Sequence, residues 1–118
     1  MMENKLTHYN HSANCHEWPP FIQLRKKYGW AGEGRFWALN NRIARSENCK
    51  LDMNNKTVFD ATAAALELTP DEFNEFIEYL EAIHLVINYN NEGMITTRIV
   101  QQGLVEMKEV FKILRKKC

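Results

Sequence analysis

Residues 68–99 read LTPDEFNEFIEYLEAIHLVINYNNEGMITTRI, and this stretch decides the fold. Its first half predicts an amphipathic helix over residues 70–85. The beginning is well marked, because Thr69 can cap free backbone N–H groups, Pro70 suits the first helical position and Glu72 completes a capping box. Apolar residues recur at helical spacing on the face expected to be buried; they are Phe73, Phe76, Ile77, Leu80, Ile83 and Leu85.

The opposite face of this predicted helix is acidic. No Lys or Arg occurs between residues 70 and 85. The charged residues of the face are Asp71, Glu72, Glu75, Glu78 and Glu81. One side of the helix is therefore expected to be core and the other to be a solvated, negatively charged surface.

The second half of the stretch predicts a β-hairpin. Residues 86–89 and 94–99 are rich in β-branched and aromatic types, and they flank Asn90-Asn91-Glu92-Gly93, a loop of residues that tolerate positive φ. A helix that runs directly into a two-stranded ribbon is typical of the last half of a winged helix-turn-helix.

The rest of the chain supplies the other elements of that fold. Residues 50–53 predict a short strand that pairs with the hairpin. Further helices are predicted over residues 21–28, 33–46, 56–68 and 100–116. The expected fold class is mainly α with a small β-hairpin, a winged helix-turn-helix with an extra C-terminal helix.

The domain organisation follows from this order of elements. Residues 1–20 are expected to form an irregular N-terminal arm that is laid over the domain, with Tyr9 and Trp18 as anchors. Residues 21–99 form the winged-helix domain, and residues 100–118 form the C-terminal helix and the start of a linker. At 118 residues with 45% apolar content, the chain is long enough for one ordinary core.

Glycines cluster between the first two predicted helices, at Gly29, Gly32 and Gly34. A phosphate-binding loop would need a preceding strand and a following Gly-Lys-Ser/Thr, and the sequence has neither. The glycines instead predict a tight turn that lets two helices approach closely.

Charge and composition exclude several functional classes. Fifteen basic and fifteen acidic residues cancel, so net charge alone indicates no polyanionic partner. The distribution is uneven, because residues 56–92 are acidic and both ends of the chain are basic. No run approaches the roughly 18 apolar residues that a membrane span needs. The three cysteines, Cys15, Cys49 and Cys118, are odd in number, widely spaced and without a Cys-x-x-Cys pair, which favours thiols in a reducing, cytoplasmic compartment over a disulfide framework.

A zinc site was considered at the N-terminus because imidazole and thiolate are the usual ligands of zinc. The four candidate ligands are His8, His11, Cys15 and His16. Their spacing matches no standard structural zinc motif, and they precede Trp18-Pro19-Pro20 rather than a helix or knuckle that would aim them. We therefore expect no metal and no other cofactor.

The last predicted helix carries a regular apolar seam. Its members are spaced four, three, four and three residues apart, as in a coiled coil; they are Val100, Leu104, Met107, Phe111 and Leu114. The seam allows two interpretations: the helix packs on its own domain, or it pairs with a second subunit. Gly103 costs about 1 kcal/mol of helix propensity relative to alanine, so the helix is expected to need stabilisation by packing against another element.

DNA binding would have to use basic residues away from the acidic helix, because affinity for DNA comes largely from cations that contact phosphates. Two basic sets are candidates. The first is Arg25, Lys26, Lys27, Arg35, Arg42 and Arg45. The second is Arg98, Lys108, Lys112, Arg115 and Lys116. For each set, an ordinary solvated face is the alternative to a DNA-binding surface.

Three stretches of the chain carry a family resemblance: Tyr9-Asn10-His11-Ser12-Ala13-Asn14; a segment over residues 24–39 with the pattern Leu-Arg-Lys-Lys-Tyr-Gly-x-x-Gly-x-Gly-x-Phe-Trp-x-Leu; and Ile83-His84-Leu85 with Ile95-Thr96-Thr97-Arg98-Ile99. Over residues 7–103 the chain resembles a domain of unknown function at the N-terminus of prophage and bacterial proteins related to phage replisome organisers. That domain is similar in architecture to the N-terminal winged-helix domain of DnaD-type replication initiation proteins. The resemblance implies a binding or scaffold module without catalytic residues.

These observations predict a non-enzymatic binding or oligomerisation module of a phage-type DNA replication initiation or organiser protein. The partner is expected to be another protein or a second copy, with no small-molecule substrate. The surface expected to meet it combines the apolar seam with Glu75 and Glu78. The alternative is a winged-helix domain that binds DNA nonspecifically through its basic faces.

Overall fold

The computed structural model describes Leu6, Tyr9, residues 17–89 and residues 93–116, with side chains described as far as residue 110. The helices are α1 (Pro19–Ala44), α2 (Lys56–Ala65), α3 (Pro70–Ala82) and α4 (Arg98–Lys116), and a short 3-10 helix spans Glu47–Cys49. The strands are β1 (Leu51–Asp52), β2 (Val86–Tyr89) and β3 (Met94–Thr97). The predicted mainly helical fold with a small β-hairpin is confirmed.

The three strands form one antiparallel sheet in the order β1-β3-β2. Leu51 of β1 lies opposite Ile95 of β3, and Tyr89 of β2 lies opposite Met94 of β3. The strand predicted over residues 50–53 therefore pairs with the hairpin as expected, although only its two central residues are in the ladder. The tip of the hairpin, residues 90–92, lies outside the described residues.

The start of α3 follows the sequence prediction closely. The backbone N–H of Glu72 donates to Thr69 Oγ1 at 3.1 Å, and the backbone N–H of Thr69 donates to Glu72 Oε1 at 2.9 Å. Pro70 occupies the first helical position, where a missing N–H costs no hydrogen bond. A local signal of three residues is thus sufficient to fix where this helix begins.

The predicted ends of α2 and α3, at residues 68 and 85, are wrong by three residues each. Both helices end in Schellman motifs whose left-handed residue is not glycine: Glu67 has φ of 60° and His84 has φ of 65°. At the end of α3, the residue after His84 closes the motif, because the backbone N–H of Leu85 donates to the Leu80 carbonyl at 2.9 Å. The sequence missed these stops because left-handed residues are usually glycine or asparagine.

Helix α1 consists of two helical arms that meet at Gly29. This residue has φ of 72° and ψ of −168°, a conformation that is essentially restricted to glycine. The predicted break between two helices is confirmed, but the predicted turn over residues 29–34 is wrong, because the helix resumes directly after Gly29. Gly32 and Gly34 are helical residues of the second arm.

The core lies where α1, α3 and the inner face of the sheet meet. Its fully buried large apolar side chains are Phe21, Leu24, Phe36, Leu39, Ile43, Phe73, Phe76, Leu80, Ile95 and Val100. Three aromatic rings extend this core toward the N-terminal arm, because Trp37 stacks on Phe21 at 5.9 Å and on Tyr9 at 6.1 Å between ring centroids. The predicted anchoring of the arm by Tyr9 therefore has a structural basis.

A buried polar link connects α1 to the start of α4. The hydroxyl of Thr97 donates to Asn40 Oδ1 and accepts the backbone N–H of Val100 at 3.2 Å, so Thr97 caps α4. Asn40 Nδ2 is also buried and has no hydrogen-bond partner among the described residues. One threonine thus orients α4 on the core.

The two helical glycines of α1 give a matched test of this geometry. A Cβ built on Gly32 would lie 2.3 Å from Cβ of Tyr28, whereas one on Gly34 would meet nothing within 4 Å. We expect Gly32→Ala to lower the free energy of unfolding by about 1–3 kcal/mol through overpacking. Gly34→Ala is expected to raise it by about 1 kcal/mol through helix propensity.

Urea unfolding of the two variants measures both changes against the parent chain. Stabilisation by both alanines would show that α1 does not bend tightly at Gly29 and that Gly32 does not lie against Tyr28.

Candidate interaction surfaces

The outer side of α3 is a continuous acidic surface. The helix buries Phe73, Phe76, Ile77 and Leu80 against the core. Its exposed carboxylates are those predicted from the sequence: Asp71, Glu72, Glu75, Glu78 and Glu81. Among the side chains that the structure describes, no salt bridge reaches any of them. The surface therefore keeps its negative charge.

Local hydrogen bonds keep parts of this acidic surface ionised and ordered. The hydrogen bond from the backbone N–H of Thr69, followed by that from its side chain, holds the pKa of Glu72 below its ordinary value. Further along α3, the side-chain amide of Asn74 donates to Glu78 Oε1 at 3.2 Å. Both contacts are exposed to water, so they orient carboxylates without removing them from a partner's reach.

The inner edge of the acidic surface is fixed against the first arm of α1. Tyr28 meets Phe76 and Tyr79 edge-on, at 5.3 and 5.6 Å between ring centroids. The hydroxyl of Tyr79 donates to the Gln23 carbonyl at 3.1 Å, and Lys27 Nζ lies 4.7 Å from the Tyr79 ring centroid. Burial raises the pKa of Tyr28, and nearby Glu75 raises it further. Lys27 is thus placed at the border between basic and acidic surfaces.

Two arginines of the first predicted basic set make local contacts with backbone carbonyls. Arg35 Nε donates to the Leu66 carbonyl at the end of α2, at 2.9 Å. Arg45 Nε donates to the Asn41 carbonyl at 3.2 Å. Arg42 is half-buried, and its Nε has no hydrogen-bond partner in the described part of the chain. Arg35 and Arg45 therefore also support the fold, and a DNA-binding role for these arginines stays a prediction.

The remaining members of this set, Arg25, Lys26 and Lys27, are consecutive on the first arm of α1. Arg25 Nη1 lies 3.4 Å from Oε1 of Glu33, a buried carboxylate on the second arm, so this ion pair spans the bend at Gly29. Lys26 is exposed. This short run remains a candidate for contact with an anion.

The second predicted basic set is only partly described. Arg98 and Lys108 are exposed on α4, about 15 Å apart along the helix axis. The side chains of Lys112, Arg115 and Lys116 lie outside the described residues. A continuous basic surface on α4 therefore stays a prediction.

The first half of the apolar seam on α4 is used within the domain. Val100 is fully buried, and Leu104 and Met107 are partly buried against the core. Gly103 is also buried, close to Leu6 and Tyr9 of the N-terminal arm. Placing Val100 on an oligomer surface was wrong, because it has no exposed area to offer a partner. The side chains of Phe111 and Leu114 lie outside the described residues.

The N-terminal arm is tied to the domain at two described points. The backbone N–H of Leu6 donates to the Ala44 carbonyl at 2.7 Å, and the hydroxyl of Tyr9 donates to Asn41 Oδ1.

The candidate zinc ligands His8, His11, Cys15 and His16 lie outside the described residues, as do Cys15 and Cys118 among the thiols. Within the described part, no three His, Cys, Asp or Glu residues are grouped to hold a metal ion. Cys49 is buried and makes no disulfide, and burial raises the pKa of its thiol.

The exposed indole of Trp30 is not among the residues that the sequence predicts for a site. This side chain is 68% exposed, and the Arg25 guanidinium carbon lies 4.6 Å from its ring centroid. The sequence predicts a turn at this position, directly after Gly29. The relevant sequence signal is a tryptophan that directly follows a helix-breaking glycine and lies five residues after an arginine.

Comparison with family models, curated proteins and solved structures found no match to the chain. The resemblance to replisome-organiser and DnaD-type domains therefore stays a prediction from the quoted residues. In the described part of the chain, every helix is too short or too polar to cross a membrane.

The capping box of α3 generates a pH-dependent prediction. Because the pKa of Glu72 is lower in the folded chain than its ordinary 4.5, its contribution to stability is complete above that value. The contribution is lost as the pH falls through the folded pKa. We expect the free energy of unfolding of Glu72→Gln to change less over this acid range than that of the parent chain.

Urea unfolding at a series of acid pH values measures the difference. Glu75→Gln, one turn further along the same exposed face, is the matched control. Equal pH dependence in Glu72→Gln and the parent chain would show that the capping carboxylate is not held in its ionised form by Thr69.

Proposed function

We propose that the chain is a non-enzymatic, cytoplasmic binding module of the winged-helix type, in which the acidic face of α3 docks on a basic surface of a protein partner. The order of elements supports the winged-helix assignment, since two helices are followed by a hairpin whose inner strand also pairs with β1. The residue-level resemblance supports a place in a phage-type DNA replication initiation or organiser protein.

The observation that carries the proposal is the charge of α3. In a helix-turn-helix, the second helix of the motif enters the major groove of DNA, and here that helix is α3. Its five exposed carboxylates would approach the phosphates that line the groove. Like charges a few ångströms apart cost on the order of 1 kcal/mol each near a wet surface, so this helix is suited to a cationic partner and not to a duplex.

Binding rather than catalysis is favoured by the setting of the titratable groups. The carboxylates of α3 are exposed at helical spacing, where water solvates them. His84 is exposed at the C-terminal stop of α3, and its backbone N–H is used to end the helix. A general acid or base would instead be expected in a cleft, within hydrogen-bond reach of a second reactive group.

A different protein is a more suitable partner for the acidic face of α3 than a second copy of this chain. An acidic face that meets a basic face elsewhere on an identical chain makes a head-to-tail contact, which yields a ring or an open filament. Because Val100 is buried in the core, the first turn of α4 cannot take part in a symmetric coiled coil with a second copy.

Nonspecific DNA binding through the basic faces is the second candidate. It is favoured by one observation, the consecutive cations of residues 25–27 on an arm whose first turn carries no acidic residue. Affinity for a lysine-rich peptide and for a DNA duplex, each at several salt concentrations, separates the candidates. A chain that binds the duplex with a steep salt dependence and does not bind the peptide contradicts the protein-binding proposal, and a chain that binds the peptide but has no DNA affinity at low salt contradicts the alternative.

The role of the acidic face has a matched charge test. The double variant Glu75→Lys with Glu78→Lys reverses two charges on α3, and Glu47→Lys with Glu109→Lys reverses two exposed charges elsewhere. Both pairs change the net charge equally. We expect the α3 pair to gain more duplex affinity, because it removes repulsion from the helix that is shaped to enter the groove.

Fluorescence anisotropy with a labelled duplex at low salt measures both affinities, and thermal unfolding checks that both variants fold. Equal gains in duplex affinity in the two variants would show that the carboxylates of α3 repel DNA no more than exposed carboxylates elsewhere, and this would contradict the proposal.

A further inference from the structure

The first arm of α1 presents an unusual concentration of exposed apolar surface. Five large apolar side chains are exposed in the described part of the chain, and three of them lie on or directly beside this arm. They are Trp18 at 42%, Ile22 at 38% and Trp30 at 68% exposed. Trp18 directly precedes the arm and Trp30 follows the glycine that ends it, so exposed apolar side chains lie at both ends of the arm.

Trp30 is held in place despite its exposure. The guanidinium of Arg25 covers part of the indole at 4.6 Å from the ring centroid, and the same guanidinium bonds to the buried carboxylate of Glu33 at 3.4 Å. Glu33 is 2% exposed and lies within the second arm of α1. The indole is therefore oriented by a chain of contacts that begins in the core, while most of its area still faces water.

This arm carries two neighbouring cations. Arg25 contacts the indole and is partly offset by its ion pair with Glu33, and Lys26, the next residue, is exposed. Lys27 points away toward Tyr79; it lies about 140° around the helix from Ile22, since each residue advances by about 100°. The acidic face of α3 is on the Lys27 side, so it does not neutralise the surface around Trp30.

We propose that Trp30, Arg25 and Lys26 form a binding site for single-stranded nucleic acid, in which a base stacks on the indole and neighbouring phosphates contact the two cations. Proteins that bind single strands combine aromatic stacking platforms with cations that follow the backbone. A duplex fits less well, because its bases are stacked on one another and offer no free face to a single exposed ring. This site is separate from the acidic face of α3, so it stands or falls independently of the protein-binding proposal.

Arg25 can serve the fold and a ligand at the same time. A guanidinium has five N–H donors, so Arg25 can keep its bond to Glu33 and still donate to a phosphate. Such a preformed platform lowers the ordering cost of binding.

The test uses a fluorescently labelled oligothymidylate and the intact chain at low salt. Trp30→Leu is expected to weaken binding by roughly 5- to 150-fold, the range expected for loss of one stacked base. Trp30→Phe, which keeps an aromatic face, is expected to lose much less. Lys26→Ala is expected to weaken binding and to reduce the salt slope by about 0.7, whereas Lys56→Ala, which removes an exposed lysine on α2, leaves both unchanged.

Three further probes make the outcome decisive. Oligouridylate that binds with the same dependence on Trp30 supports the site and assigns an RNA strand to it. A duplex of equal length that binds more tightly than the single strand overturns the proposal. Anionic phosphatidylserine vesicles that alter the tryptophan fluorescence of the parent chain but not that of Trp30→Leu, without binding of either oligonucleotide, show a membrane contact and overturn it too. Thermal unfolding confirms that each variant is folded, and unchanged oligothymidylate affinity in Trp30→Leu is sufficient to reject the site.

Discussion

The burial of the apolar stripe of α3 is the interaction on which the rest of the structure depends. Phe76 packs edge-on against Tyr28 of α1, and Phe73 lies 5.0 Å from Phe59 of α2 between ring centroids. These contacts fix the rotation of α3 about its own axis. Because carboxylates occupy the other side of the same helix, the packing that forms the core also determines that the helix presents negative charge to any partner.

Local sequence signals predict much of this arrangement. The capping box at Thr69, the helical spacing of the apolar residues of α3 and the β-rich segments on either side of residues 90–93 each act over a few residues. The ends of α2 and α3 were not predictable in the same way. Glu67 and His84 adopt left-handed conformations that residues other than glycine and asparagine seldom adopt, and no neighbouring residue type indicates a helix end there.

The surfaces were harder to predict than the fold, because spacing along a helix does not show what a long side chain contacts. Arg35 was counted as a surface cation, yet it closes the end of α2 through the Leu66 carbonyl. Arg25 was counted in the same way, yet it braces the bend of α1 and orients Trp30. Exposed acidic residues were predicted more reliably, since they follow directly from which face of α3 is apolar.

A ¹⁵N NMR titration of the chain, with a DNA duplex in one series and a lysine-rich peptide in the other, distinguishes the partners of the acidic face of α3. We expect the peptide to shift the backbone amide signals of residues 71–81 on α3 and the duplex to leave those signals in place at low salt. Duplex-induced shifts concentrated in residues 71–81 would contradict this expectation, because they would place the acidic face of α3 against phosphates.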